Sequence, residues 1–461
     1  MPELTMGEIA RAVAGKIIRG RSGILFREFH FDSRELGDGG LFFAIASDKD
    51  DGHRYVPRLV SRPGCGAVVG PRFDAKGLQL PLIRVGDPLA AAQKLAVHVR
   101  EKYGRIKYVG ITGSAGKTTT KEFCYQILSK RCAAFRSLKN WNNGLGMPFS
   151  LLQMSGREEV AVFELAMSDP GIGEIDTLAR ILRPDVAVVL NAYPVHLEFL
   201  RNLRNVARGK SEIMNHLAAD GCAFLNGDSD PLARATAAKK GRKIYFGSNR
   251  PRNQVVLRET VREKNGSRIK IDFYGIEETF VAPIINRIQV ENLMAAILVA
   301  QHLGMKNFEI QQALKGLTPV EGRGVIRRIR GITLVDETYN SNPEALKKTL
   351  AWMDQEFKGR KIAVLGDMLE LGNGESLFHR QVGEFLSSLS FVCLVAVGLR
   401  ARLIAEGARS AGFPNSGIEC FDGPEAAGRY LRKKVRKGDA VLFKGSRGIA
   451  LEKSIQEFEN G

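Results

Sequence analysis

From Ile106 onward the chain alternates short apolar runs with amphipathic stretches. IKYVGIT (106–112), VAVFELA (160–166), DVAVVLN (185–191) and CAFLN (222–226) carry almost no polar position, so they read as strands covered on both faces of a parallel sheet. Between the first two, KTTTKEFCYQILSK (117–130) places Phe123, Ile127 and Leu128 at helical spacing. After LTPVEGRG (317–324) the alternation starts afresh with ITLVDE (332–337), KIAVLGD (361–367), FVCLVAVG (391–398) and DAVLFKG (439–445), each followed by a helical segment. A second, independent sheet of nucleotide-fold type is expected there. Before residue 104 the pattern is of short strands and turns around helical pieces, as in FDSRELGDGGLFFAI (31–45), with no catalytic spacing. The chain is therefore α/β, in three segments: 1–104, 105–317 and 318–461.

Length agrees, since 461 residues exceed one ordinary core and point to roughly two to four domains. No apolar run approaches the ~20 residues of a membrane span, and MPELTMGEIARAVAGK is unlike a secretory leader, so a cytoplasmic site is expected. The six cysteines form no C-x-x-C pair, which argues against a zinc site and a disulfide framework. The formal charge of +18 would suit a polyanion. Its cations are spread along the chain, with short clusters at Arg323–Arg330 and Lys433–Lys437, and no nucleic-acid partner is expected.

The candidate chemistry begins at GITGSAGKTTTKEF (110–123). The common phosphate-loop pattern G-x-x-x-x-G-K-[ST] asks for glycine at 111 and meets Ile111, while Gly113 stands two places later. The context of strand, glycine turn and helix nonetheless marks an anion cradle formed by Gly113, Ser114, Ala115, Gly116, Lys117, Thr118 and Thr119. Lys117 would reach the β/γ-phosphates, and the Thr118 hydroxyl a Mg²⁺. Glu164 ends the next strand on the same sheet edge, as a magnesium-ligand candidate or a solvated carboxylate. His196 follows the third strand at that edge. Lys210 in NVARGKSEI has no distinguishing context of its own.

Together these residues resemble the Mur ligase family, ATP-dependent amide-bond ligases of bacterial cell-wall precursor synthesis. The family's shorter T-G-x-x-G-K-T loop is spelled by residues 112–118, its glutamate by Glu164, its H-L-E by 196–198 and its later lysine by Lys210. The resemblance implies three domains: a UDP-precursor-binding domain, a central ATPase and a Rossmann-like acceptor domain. It implies that Lys210 is carbamylated, and that two Mg²⁺ are held by Thr118, Glu164, His196 and Lys210. It places Asn292 near adenine, Arg323 and Asp336 at the nucleotide from the last domain, Ser33 and Arg34 at the uridine nucleotide, and Asn143, Tyr339, Asn340 and Asn342 at substrate. LVDETYNSNPEAL (334–346), VLGDMLELG (364–372) with His379, and KGSRG (444–448) are similar to the members that add D-alanyl-D-alanine to UDP-N-acetylmuramoyl-tripeptide. ELAMSDPGIGEI (164–175) departs from the family pattern, with Ala166 for glycine. A monomer that closes about residue 318 when ATP and precursor bind is expected. Two other readings stay open: a tripeptide-forming or folate-type relative, and a basic phosphate-loop ATPase that binds nucleic acid.

Overall fold

The computed structural model describes residues 2–48, 50–167, 172–194, 200–248, 250–264, 266–284 and 286–460. Its large sheets take their strands from three successive stretches of chain. The first has five strands in the order Lys16–Arg19, Leu82–Arg84, Gly66–Val69, Gly40–Phe43 and Glu28–His30. All are parallel except Lys16–Arg19. Gly40–Phe43 and Gly66–Val69 are buried at every position, as strands packed on both faces must be.

The central sheet has nine strands. Cys222–Asn226, Val186–Val189, Lys107–Thr112 and Val160–Glu164 lie side by side and parallel, so the four apolar runs of the sequence form its middle. Ala134–Arg136 closes one edge. Beyond Arg242–Gly247 the other edge is an antiparallel ribbon of Val255–Glu263, Gly266–Phe273 and Ile276–Ala282. After Lys107–Thr112 the chain first builds one side of the sheet, through Ala134–Arg136 and Val160–Glu164, and then the other, through Val186–Val189. That reversal opens a crevice at the carboxyl end of Lys107–Thr112, the standard location for a ligand in such sheets. The helix Lys117–Leu128 springs from this crevice and buries Phe123, Ile127 and Leu128 against the helix Arg287–His302 and the sheet.

The last sheet runs Val325–Ile329, Ile332–Glu337, Ala440–Lys444, Lys361–Gly366, Phe391–Val397 and Ile418–Phe421, parallel except for the first, edge strand. Among the described residues no helix is long and apolar enough to cross a membrane.

The N-terminal sheet meets the central one through aromatic rings. Phe31 lies 5.3 Å from Trp141 and 5.0 Å from Phe149, and Phe43 lies 5.4 Å from Phe149. Lys139 adds an ion pair to Glu35 at 2.9 Å. Trp141 is only 9% exposed, so Trp141→Ala is expected to cost about 3–5 kcal/mol by leaving a cavity. The measurement is the urea midpoint, together with protease sensitivity between the two sheets. An unchanged midpoint would show that the rings contribute little to the joint.

Candidate active site

The glycine turn is shaped by its own backbone and by two residues beyond the third strand. Gly116 has φ +82°, a conformation that side chains disfavour, and a Cβ there would run into the Asn292 carboxamide. The Ala115 amide donates to Asn191 Oδ1 at 2.8 Å, and Asn191 Nδ2 donates back to the Ala115 carbonyl at 3.1 Å. Ser114 Oγ accepts from the Tyr193 amide at 2.9 Å and donates to the Tyr193 carbonyl at 3.2 Å. The loop is thereby preorganised, with the positive end of the helix Lys117–Leu128 facing the crevice.

Within this frame the polar groups engage one another in sequence. Lys117 Nζ donates to the Gly113 carbonyl at 2.8 Å. Thr118 Oγ1 donates to Glu164 Oε2 at 2.7 Å and accepts from the Arg323 guanidinium at 3.0 Å. Asn142 Nδ2 donates to the other Glu164 oxygen at 2.9 Å. The Glu164 amide donates to Ser137 Oγ at 3.2 Å, and the buried Lys121 ammonium donates to the Ser137 carbonyl at 2.9 Å. Burial works against the Glu164 carboxylate, but Lys117, Arg323 and the Thr118 hydroxyl outweigh it and hold its pKa below the ordinary glutamate value. Burial lowers the Lys117 pKa, with Glu164 opposing. Lys210, 1% exposed on the helix Leu203–Ser211, is held well below the usual lysine range by burial and then by the positive charge of Lys117.

No group of three or more His, Cys, Asp or Glu able to hold a metal occurs among the described residues. The hydroxyl of Thr118 beside the ionised Glu164 is a hard oxygen pair, and it suits Mg²⁺, which uses few protein ligands and completes its shell with water and phosphate.

The C-terminal domain supplies the opposite wall. Arg323 stacks over the Tyr339 ring at 3.9 Å, and its carbonyl accepts from Gln289. Lys444 Nζ donates to Glu337 at 2.7 Å and to the Asn340 carbonyl at 3.1 Å. Residues 114–119, Glu164 and Asn292 from the central domain and Arg323, Glu337, Tyr339 and Lys444 from the last domain enclose a cavity of about 240 Å³. Asn340 and Asn342 lie on its wall. The Asn342 side chain also caps the helix Pro343–Glu356 through the Ala345 amide at 2.9 Å, and Asn340 Oδ1 accepts from the Ser341 amide at 2.8 Å.

Other residues named from the sequence fall elsewhere. Asp336 is buried against the Thr338 amide and hydroxyl, at 3.1 and 2.8 Å, and its neighbour Glu337 is the side chain on the cavity wall. Asn143 Oδ1 accepts from the Gly146 amide at 2.9 Å, while Asn142 reaches Glu164. Arg34 is turned to Asp32 at 2.7 Å, and the Ser33 carbonyl accepts from Arg62 at 2.8 Å, both on the N-terminal domain and off this cavity. His196 lies outside the described residues. Asn142, Asn191, Gln289 and Lys444 were missed, although Asn142 stands beside Asn143, Asn191 ends DVAVVLN, Gln289 lies three residues before Asn292, and Lys444 opens KGSRG.

Because Arg323 touches the loop threonine from the far domain, Arg323→Ala is expected to lower kcat/KM for ATP about 10–100-fold, as loss of a charged hydrogen bond does. Steady-state kinetics with varied ATP measures it. Wild-type values would detach Arg323 from the nucleotide.

The comparisons with known proteins converge on the same region. A Mur ligase middle domain matches residues 111–300, and a Mur ligase glutamate ligase domain matches residues 322–447. The UDP-N-acetylmuramoyl-tripeptide--D-alanyl-D-alanine ligase of Bacillus subtilis (strain 168) is 32% identical over 92% of this chain and 92% of its own. The enzyme of that name from Synechocystis sp. is 31% identical over 91% of this chain and 89% of its own. A crystal structure of MurF from Acinetobacter baumannii superposes with a TM-score of 0.90 at 27% identity, covering 100% of both chains. The MurF ligase of Thermotoga maritima in complex with ADP superposes with a TM-score of 0.82 at 29% identity, covering 94% of this chain and 97% of its own.

Proposed function

Because the chain belongs to the Mur ligase family, we propose that it joins D-alanyl-D-alanine to UDP-N-acetylmuramoyl-tripeptide at the expense of ATP, releasing ADP and phosphate. The observation that carries this reading is the single cavity where Lys117, Thr118 and Glu164 of one domain face Arg323, Tyr339 and Lys444 of another. A phosphate donor bound on one wall would meet an amine presented from the other.

Amide formation from a free carboxylate is uphill in water, so the carboxylate must first be activated. One precursor carboxylate oxygen attacks the γ-phosphorus, the bond to the β-phosphate oxygen breaks, and ADP leaves with that electron pair. The dipeptide amine then attacks the acyl carbon, loses a proton, and expels phosphate. Lys117 and the loop amides neutralise the β/γ-phosphates and hold them in line. Thr118 and Glu164 would hold one Mg²⁺, and Glu164, His196 and carbamylated Lys210 a second. These ions would supply charge neutralisation between two anions that otherwise repel.

Lys210 enters through its depressed basicity. Only a neutral amine adds CO₂, giving a carbamate and a proton, and burial, with the charge of Lys117, shifts Lys210 toward that form. Asn142 fixes the Glu164 carboxylate, and Asn191 fixes the loop. The loop Asn340–Asn342, tied down by Lys444 and by the Asn342 helix cap, would present the dipeptide.

The test is a coupled assay of ADP release with ATP and UDP-N-acetylmuramoyl-tripeptide, with and without D-alanyl-D-alanine. Release should require both substrates. Release that ignores the dipeptide, or that follows added nucleic acid, would overturn the reading.

A further inference from the structure

We propose that the base of the C-terminal sheet is a docking face for an anionic membrane surface. Two basic clusters that are distant in sequence meet there. The turn after Val325–Ile329 is tied to the 436–438 loop by the Gly438 amide, which donates to the Gly331 carbonyl at 2.9 Å. The Lys437 side chain packs directly over Gly331. The 358–360 loop joins them, since the Ala440 amide donates to the Arg360 carbonyl at 2.9 Å and Gly359 abuts the Gly438 carbonyl.

Arg328, Arg330, Lys358, Lys433, Arg436 and Lys437 are all exposed on this face. Among the described residues none of these side chains is ion-paired, although the Arg436 amide donates to Asp439 Oδ2 at 2.9 Å. The carboxylates around it are engaged by other cations: Asp439 by Arg360 at 3.1 Å, Asp354 by Lys361 at 3.2 Å, Glu457 by Arg432 at 2.8 Å, Glu459 by Arg327 at 3.0 Å and Glu356 by Arg262. Protection of an edge strand accounts for Arg328, and the negative end of the helix Pro424–Lys434 accounts for Lys433. Neither accounts for Arg330, Lys358, Arg436 and Lys437 converging from three segments.

Placement and composition select the partner. These loops precede the parallel strands Ile332–Glu337, Lys361–Gly366 and Ala440–Lys444, whose opposite, carboxyl ends bear Glu337 and Lys444 on the cavity wall. The cavity thus faces away from anything docked at the base. Phe357 packs edge-on with Trp352 and Tyr430 tilts against Phe421, all but the buried Trp352 half-buried, whereas stacking bases need open ring faces. Unpaired cations on projecting loops match the negative potential of an acidic lipid leaflet, which acts on each charge near the surface.

The experiment is co-sedimentation of the full chain with phosphatidylglycerol/phosphatidylcholine vesicles and with phosphatidylcholine vesicles alone. Binding to the acidic vesicles only, reversed by high salt, is expected. The triple variant Arg330→Glu, Lys433→Glu, Lys437→Glu should lower that partition at least about tenfold, with ligase turnover in solution unchanged. A second variant, Lys358→Glu with Arg436→Glu, should lower it too, so that misfolding of one variant does not decide the outcome. Failure of the wild type to bind acidic vesicles at physiological salt, or equal binding by both folded variants, would overturn the proposal. So would loss of RNA or duplex DNA binding in variants whose vesicle binding is intact. The vesicle readout does not depend on the ligase reading.

Discussion

Lys210→Ala is expected to reduce turnover about 10³-fold or more, the scale of losing a transition-state charge contact in a desolvated site. An ordinary lysine beside Lys117 would set two ammonium groups against each other; burial and that neighbour instead keep the Lys210 amine well below its usual basicity. The neutral form that adds CO₂ is therefore more accessible than in an exposed lysine. In CO₂-free buffer the wild type should lose activity and regain it with bicarbonate, whereas the alanine variant should not respond. Normal turnover by the variant would remove Lys210 from the mechanism.

Linkage supplies a readout independent of catalysis. The unfolded chain binds the Lys210 proton more tightly than the folded one, so in CO₂-free buffer the wild type should gain stability as pH rises toward the ordinary lysine value of 10.5. That gain should be smaller in Lys210→Ala, where of the two lysines lowered by burial only Lys117 is left to contribute it. Melting temperatures across this window measure it.

Glu164→Gln is expected to lower kcat/KM about 10²–10³-fold and to raise the Mg²⁺ concentration needed for half-maximal rate. Each Glu164 oxygen accepts one bond, from Thr118 at 2.7 Å and from Asn142 at 2.9 Å. An amide keeps a single acceptor oxygen, so its own NH₂ must oppose one of those donors. It also removes the charge that balances Lys117 in a buried site. Asn142→Ala separates the two effects, because it deletes one hydrogen bond and leaves the charge; a loss nearer tenfold is expected. An unshifted Mg²⁺ titration in Glu164→Gln would show that the carboxylate is not a ligand.

Much of this site was legible because its elements declare themselves locally. Apolar runs of four to six residues place Lys107–Thr112, Val160–Glu164 and Val186–Val189 in a buried parallel sheet. Lys117 and Glu164 follow from strand ends sharing one edge. The antiparallel ribbon at 255–282 was not seen, since Val255–Glu263 alternates with charged residues and is only partly buried. The first domain's sheet was equally faint, with strands of three or four residues.

The chain by itself determined that there is a glycine turn between a buried strand and a helix, and which lysine, threonine and glutamate attend it. Those are properties of neighbours within one turn or one strand, where backbone geometry leaves few alternatives. Tertiary structure decided that Asn142 rather than Asn143 holds Glu164, and that Glu337 rather than Asp336 lines the cavity. Asp336 and Glu337 are adjacent on one strand and point to opposite faces, and only the packing of one domain against another tells which face becomes a wall. It also buried Lys210 near Lys117, at a separation in sequence that no local pattern spans.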